Sequence, residues 1–162
     1  MTSNAAWTQP SARERKAIMD RSRTVAMVGV SSKRSRPSNF VATYLLGRPD
    51  DFDVWFVNPR ESEILGRRVY PSLADLPGPP DMVDVFRRPE DLPGVAREAV
   101  EIGAKAFWAQ LGLSSDEASA IAHEAGLDVV MDRCLKIEHA RFAGGLHLAG
   151  FDTGVVSSRR HD

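Results

Sequence analysis

Cysteine is nearly absent from this sequence: Cys134 stands alone among 162 residues. A lone cysteine excludes an intramolecular disulfide framework and a multi-cysteine zinc site. Long hydrophobic runs are missing too. Nothing approaches the roughly 20 apolar residues that span a bilayer, and the opening MTSNAAWTQPSARERK has no apolar core of a secretory signal. Nor is there an excess of one charge. Lys and Arg number 21 against 22 Asp and Glu, a net of −1, so no overall field argues for nucleic acid, and a membrane is not indicated. The simplest compartment these absences leave is the cytoplasm. A last absence is the G-x-G-x-x-G fingerprint, which matters because VAMVGVSSKRSRPSNF, residues 25–40, otherwise has the layout of a phosphate-binding strand–turn–helix.

What is present alternates in type along one domain's length of chain. Residues 1–10 form a polar leader, 11–141 the domain, and 142–162 a glycine-containing basic tail. Ser11, with Glu14 as capping-box partner, starts a short helix to about Arg21. Thr24–Val28 is an apolar, β-branched run closed by Gly29 and reads as a buried strand. Pro37–Leu46 has helical spacing and is stopped by Gly47 and Pro49. Strands two to five follow at Phe52–Val57, Met82–Phe86, Lys105–Ala109 and Leu127–Met131. Between them, Pro89 opens a helix to about Ile102, and Ser114 caps another with Glu117 as box partner. A final helix runs from about Arg133 to Ala140. Residues 60–81, rich in Gly and Pro, read as irregular. Strands separated by helices predict an α/β fold: a Rossmann-like, doubly wound, mainly parallel five-stranded sheet with helices on both faces.

In such sheets ligands bind beyond the carboxyl ends of the strands. Those ends carry Gly29, Ser31, Ser32, Lys33 and Arg34, then Asn58, Pro59 and Arg60, then Arg87, Arg88 and Pro89, then Gln110, Leu111 and Gly112, and last Asp132, Arg133 and Cys134. Five cations on three ends suit a ligand with several phosphates. Gly29 allows a tight turn, after which backbone amides and serine hydroxyls can meet a phosphate near a helix N-terminus. The second end discriminates between ligands. A dinucleotide site normally has an acid there for the ribose diol, whereas this chain has Asn58-Pro59-Arg60, with Glu61 and Glu63 nearby. NAD is disfavoured; NADP and coenzyme A, each with a phosphorylated ribose, pass.

Taken together, VAMVGVSSKRSRPSNFVATYLL, VWFVNPRESEILGRRVYPSLADLP, DMVDVFRRPEDLPGVAREAVEIGAKAFWAQLGL and GLDVVMDRCLKIEH resemble the CoA-binding domain family. These small stand-alone proteins are similar to the nucleotide-binding segment of succinyl-CoA synthetase α subunits and of ADP-forming acyl-CoA synthetases. The resemblance implies coenzyme A or an acyl-CoA as a small-molecule nucleotide ligand lying over the strand ends. It implies phosphate contacts from Gly29, Ser31, Ser32, Lys33 and Arg34, and an adenosine side at Asn58, Pro59 and Arg60. Arg87, Arg88 and Pro89 follow, with Trp108, Gln110 and Gly112 along strand four. Arg133 and Cys134 match the family's strand-five end, where larger synthetases carry an Asn-Cys pair and this chain has Asp132-Arg133. The family pattern also implies a short extra strand near Arg68–Tyr70.

For chemistry the candidates are few. Cys134 and His139 are five apart, on rather different faces of a helix, with no evident third group. The expectation is a partly buried cysteine and a surface histidine, with a mixed disulfide between Cys134 and coenzyme A as a redox alternative. His123, His147 and His161 have no metal-ligand spacing, and Arg159-Arg160 reads as solvated. Trp55, Phe56 and Phe107 read as core, and Trp108 as the one aromatic placed to touch a ligand. Phosphohistidine and ATP-grasp chemistry belong to further domains of the synthetases. Three readings stay open: a non-catalytic coenzyme A or acyl-CoA binder, an NADP-linked oxidoreductase or other nucleotide-dependent enzyme, and a ligand-controlled regulatory module. No protein partner is identified by the sequence, and self-association stays open.

Overall fold

A computed structural model of the chain describes residues 6–143. Its helices are α1 (Ala12–Asp20), α2 (Pro37–Leu46), α3 (Leu92–Glu101), α4 (Asp116–Glu124) and α5 (Leu135–Ala143). Its strands are β1 (Thr24–Val28), β2 (Asp53–Val57), β3 (Glu63–Ile64), β4 (Arg67–Tyr70), β5 (Met82–Val85), β6 (Ala106–Ala109) and β7 (Asp128–Val130). They form one sheet of order β3-β4-β2-β1-β5-β6-β7, with only the β3–β4 pair antiparallel. The expected fold class therefore stands, with seven strands in place of five. The two extra strands come from the segment read as irregular, where Leu65-Gly66 makes a two-residue hairpin turn with both φ positive, 51° and 75°. Proline and glycine on either side of that short hairpin hide its period.

Side-chain alternation along the strands divides the apolar residues between two faces. Met27, Phe56, Met82 and Trp108 pack with Ile18, Val41, Leu45 and Leu135 under α1, α2 and α5. Ala26, Val83, Val85 and Phe107 pack with Leu92, Val95, Ala118 and Ala122 under α3 and α4. Full burial of such a side chain contributes about 1.5–3 kcal/mol, which makes these two layers the main stabilising term. A buried ion pair, Arg15 Nε to Glu138 Oε1 at 2.8 Å, ties α1 to α5. The segment before α1 covers the outer edge of β7: Trp7 Nε1 donates to Val129 O, and Gln9 both donates to and accepts from Met131 backbone.

Two helix starts differ from expectation. The α4 cap is Ser115, whose hydroxyl accepts from Ala118 N, so Ser114 is not the cap and Glu117 instead pairs with Arg97. Pro89 opens a single 3-10 turn before α3 begins at Leu92. Ser11 and Glu14 form the expected reciprocal box. Helix α5 continues to Ala143, past the expected end at Ala140. The expectations for His147, His161, Arg159 and Arg160 lie outside the described residues. Among those residues, no helix is long and apolar enough to cross a membrane.

Candidate functional site

Strand β1 has β2 on one side and β5 on the other, so the chain reverses direction across the sheet there. Open α/β sheets bind ligands at such a switch point, because the loops diverge and leave a crevice. Gly29 sits at its centre. Its amide donates to Val57 O at 2.9 Å, and Phe86 N donates to Val28 O at 2.8 Å, which brings the three strand ends level. Gly29 has φ +89°, and a Cβ there would stand 2.9 Å from Arg87 Cδ and 3.1 Å from Phe86 O. Only glycine meets both demands.

Two clefts open from Gly29. The first, of about 460 Å³, is lined by Gly29, Asn58, Pro59, Arg60, Arg87, Arg88 and Asp91. Asn58 is fixed at both ends: Nδ2 donates to Val30 O at 2.8 Å and Oδ1 accepts from Arg60 N at 2.8 Å. That grip on the turn, together with Pro59, directs Arg60 outward. Asp91 lies 3.2 Å from Arg87 and 3.5 Å from Arg88, so it orients both guanidinium groups. The second cleft, of about 360 Å³, is lined by Gly29, Ser31, Arg36, Pro37, Ser38, Val41, Phe86, Gln110, Leu111, Leu113 and Cys134. It lies between the start of α2 and the β6–α4 loop, and it is mostly apolar. Both volumes fall in the ordinary range for small-molecule sites, roughly 300–1,000 Å³.

The first turn departs from a simple phosphate cradle. Ser31 N donates to Ser38 Oγ, Lys33 N to Ser31 Oγ, and Ser32 N to Glu61 Oε2 at 2.9 Å. The three amides expected to meet phosphate thus already have acceptors, one of them a carboxylate. Lys33 and Arg34 are exposed and lie outside both cleft linings; Arg36, passed over in the sequence, lines the second.

Several other expected residues stand apart from the clefts. Trp108 has no exposed surface, and its indole nitrogen donates to Arg133 O at 2.9 Å. It is a core residue: its β6 position points into the sheet face under α5, so it cannot touch a ligand here. Arg133 turns its guanidinium back to Asp132 O. Gly112 and Asp132 hold each other, Gly112 N donating to Asp132 Oδ1 at 2.7 Å, with Asp132 at φ 60°, a conformation that Asp tolerates. Ser32 and Pro89 are exposed but outside the linings.

Behind the second cleft lies a residue that strand patterning passes over. Asp84 is completely buried in β5, its Oδ1 accepting from Gln110 Nε2 and its Oδ2 without a partner among the described residues. Burial pushes its pKa up to about 8, against the opposing effect of the Gln110 bond. The acid in Met82-Val83-Asp84-Val85 is the signal that marks it in the sequence. Gln110 Oε1 also accepts from Leu135 N, joining Asp84 to the start of α5. Burial likewise pushes the Cys134 thiol up, so it is a neutral thiol near pH 7.

His139 is not a surface histidine. Nδ1 lies 2.8 Å from Tyr44 Oη and Nε2 3.2 Å from Asp51 Oδ2, clasping α5 to α2 and the loop that follows it. Desolvation lowers its pKa, with Asp51 opposing. It borders a third cleft of about 410 Å³ at the opposite ends of the strands. Asp20, Asp50 and Asp51 stand there beside Lys16 and Arg23, a mixture of signs unsuited to a polyanion.

A cationic cleft and an apolar one thus meet at a strand-end glycine. Residues 23–140 match the family described as "CoA binding domain". The chain belongs to that CoA-binding domain family. Bacillus subtilis YneT, an uncharacterised protein, is 43% identical over 131 residues, 81% of this chain and 96% of YneT. A hypothetical protein from Pyrococcus horikoshii OT3 shares 37% identity with a TM-score of 0.80, over 89% of this chain and all (100%) of the other. A Thermus thermophilus structure shares 36% identity with a TM-score of 0.74, over 82% and 98% of the two chains. A dinucleotide-forming acetyl-coenzyme A synthetase from Ca. Korarchaeum cryptofilum, at 23% identity and a TM-score of 0.60, is alike in fold; the match covers 26% of its chain. Membership of this family supports coenzyme A as the class of ligand.

Proposed function

We propose that this protein binds coenzyme A or an acyl-CoA across Gly29, as a non-catalytic and regulatory binder working in the cytoplasm. The observation that carries this reading is the junction of two unlike clefts at one glycine. Coenzyme A has the same division: a polyanionic phosphoadenosine end and a long, weakly polar pantetheine arm. Arg60, Arg87 and Arg88 suit the phosphates, by charge-assisted bonds. The arm passes over Gly29, which lines both clefts, and the second cleft receives its sulfur end. The neutral Cys134 thiol, with Gln110 engaged at both ends, supports holding this arm rather than attacking it. For the same reason a mixed disulfide at Cys134 is disfavoured.

Calorimetry with coenzyme A and dephospho-CoA tests this. Coenzyme A should bind about ten-fold more tightly, the worth of one charge-assisted contact at a partly exposed site. Equal affinities would remove the assigned role of Arg60. A response to NADPH with none to coenzyme A would replace this reading with an NADP-linked one. Mass spectrometry of small molecules released from freshly purified, denatured protein offers an independent check.

A further inference from the structure

We propose that the preferred ligand is a coenzyme A thioester bearing an apolar acyl chain, held in the cleft between α2 and the β6–α4 loop. This inference rests on the coenzyme A reading and names which member of that class the site selects.

The space comes first. About 360 Å³ is on the order of twelve water volumes at ~30 Å³ each, far more than a terminal thiol occupies. Its walls come next. Pro37, Val41, Phe86, Leu111 and Leu113 supply carbon, and Cys134 adds a neutral sulfur. Leu111 is 62% exposed, and an apolar chain beside it would remove surface from water on both partners. The floor is closed: Gln110 is buried, its Nε2 donating to Asp84 and its Oε1 accepting from Leu135 N, and its amide is uncharged. Continuity gives the direction. Gly29 belongs to both linings, so a pantetheine arm that leaves the arginines over Gly29 delivers its sulfur among these apolar side chains. Arg36 at the rim is the one cation among the lining residues, and it defines the rival ligand: an acyl group ending in a carboxylate.

The full chain would be titrated calorimetrically with coenzyme A, acetyl-CoA, butyryl-CoA, octanoyl-CoA and succinyl-CoA. Affinity is expected to climb from coenzyme A to octanoyl-CoA by about two- to four-fold per methylene while the cleft fills. Octanoyl-CoA binding no tighter than coenzyme A overturns the proposal and leaves the coenzyme A reading intact. So does a preference for succinyl-CoA, which assigns the cleft to Arg36. Failure of every one of these ligands to bind overturns both. Leu111→Glu, a change at an exposed side chain, should narrow the octanoyl-over-coenzyme A affinity ratio by at least five-fold, on the order of the same burial effect. Circular dichroism would check its fold. An unchanged ratio puts the chain outside this cleft.

Discussion

Glu61 Oε2 accepts a hydrogen bond from the backbone amide of Ser32 at 2.9 Å, placing the chain's own carboxylate in the turn where the sequence predicts a ligand phosphate. A carboxylate and a phosphate oxygen compete for the same N–H, and two anions repel there. Replacing the charge while keeping an acceptor, Glu61→Gln, should therefore tighten coenzyme A binding by about three- to ten-fold at low salt, the scale of one partly screened charge interaction. Calorimetry at two ionic strengths reads this. An unaltered affinity would mean that the phosphates never approach Ser32.

Gly29→Ala probes the centre of the crevice. A left-handed backbone conformation costs a non-glycine residue about 1–2 kcal/mol. The new Cβ would also meet Arg87 Cδ at 2.9 Å, pushing that side chain from its place. The variant should melt at lower temperature and bind coenzyme A at least ten-fold more weakly, the equivalent of one lost charge-assisted contact. Wild-type affinity would remove Gly29 from the ligand's path.

Asp84 makes stability depend on pH in a definite direction. Burial raises its pKa from 3.8 to about 8, so between those values the folded chain keeps a proton that the unfolded chain has released. Its contribution is complete below about pH 4 and is lost as pH rises toward about 8, by up to about 1.4 kcal/mol per pH unit. Asp84→Asn keeps an acceptor for Gln110 and removes the titration. Urea unfolding at pH 5 and pH 8 should show the variant gaining on the wild type at the higher pH. Parallel profiles would mean that Asp84 is ionised in the fold.

Leu65 occupies the first position of the β3–β4 hairpin turn at φ 51° and is 42% exposed. Asparagine tolerates this conformation better, and Asn-Gly is the favoured pair in such a turn. Leu65→Asn should raise stability by about 0.5–1 kcal/mol, part of the left-handed penalty. Thermal melts would read it, and no change would assign the leucine a compensating contact.

Much of the fold is legible because its signals are local. Thr24–Val28 and Pro37–Leu46 have the predicted bounds, since an apolar run ending in glycine and a proline-led helical period need no distant partner. The β3–β4 hairpin escapes the same method because two- and four-residue strands are too short to show a period. Trp108 illustrates a different failure. Adjacent residues on a strand point to opposite faces, but both faces of this sheet are covered, so alternation does not separate ligand-facing from core-facing positions.

By itself the sequence determined the fold class, the strand ends that gather the cations, and the glycine at their centre, because propensity, turn chemistry and charge are properties of short segments. Only the tertiary structure decided how those ends are used. Glu61 reaches Ser32 across 29 residues, and Gln110 joins Asp84 to Leu135 across 26 and 25. Which amides remain open, which arginines share an aspartate and which two clefts meet at Gly29 depend on side chains brought together by the parallel crossovers. Those distances in space have no counterpart in spacing along the chain.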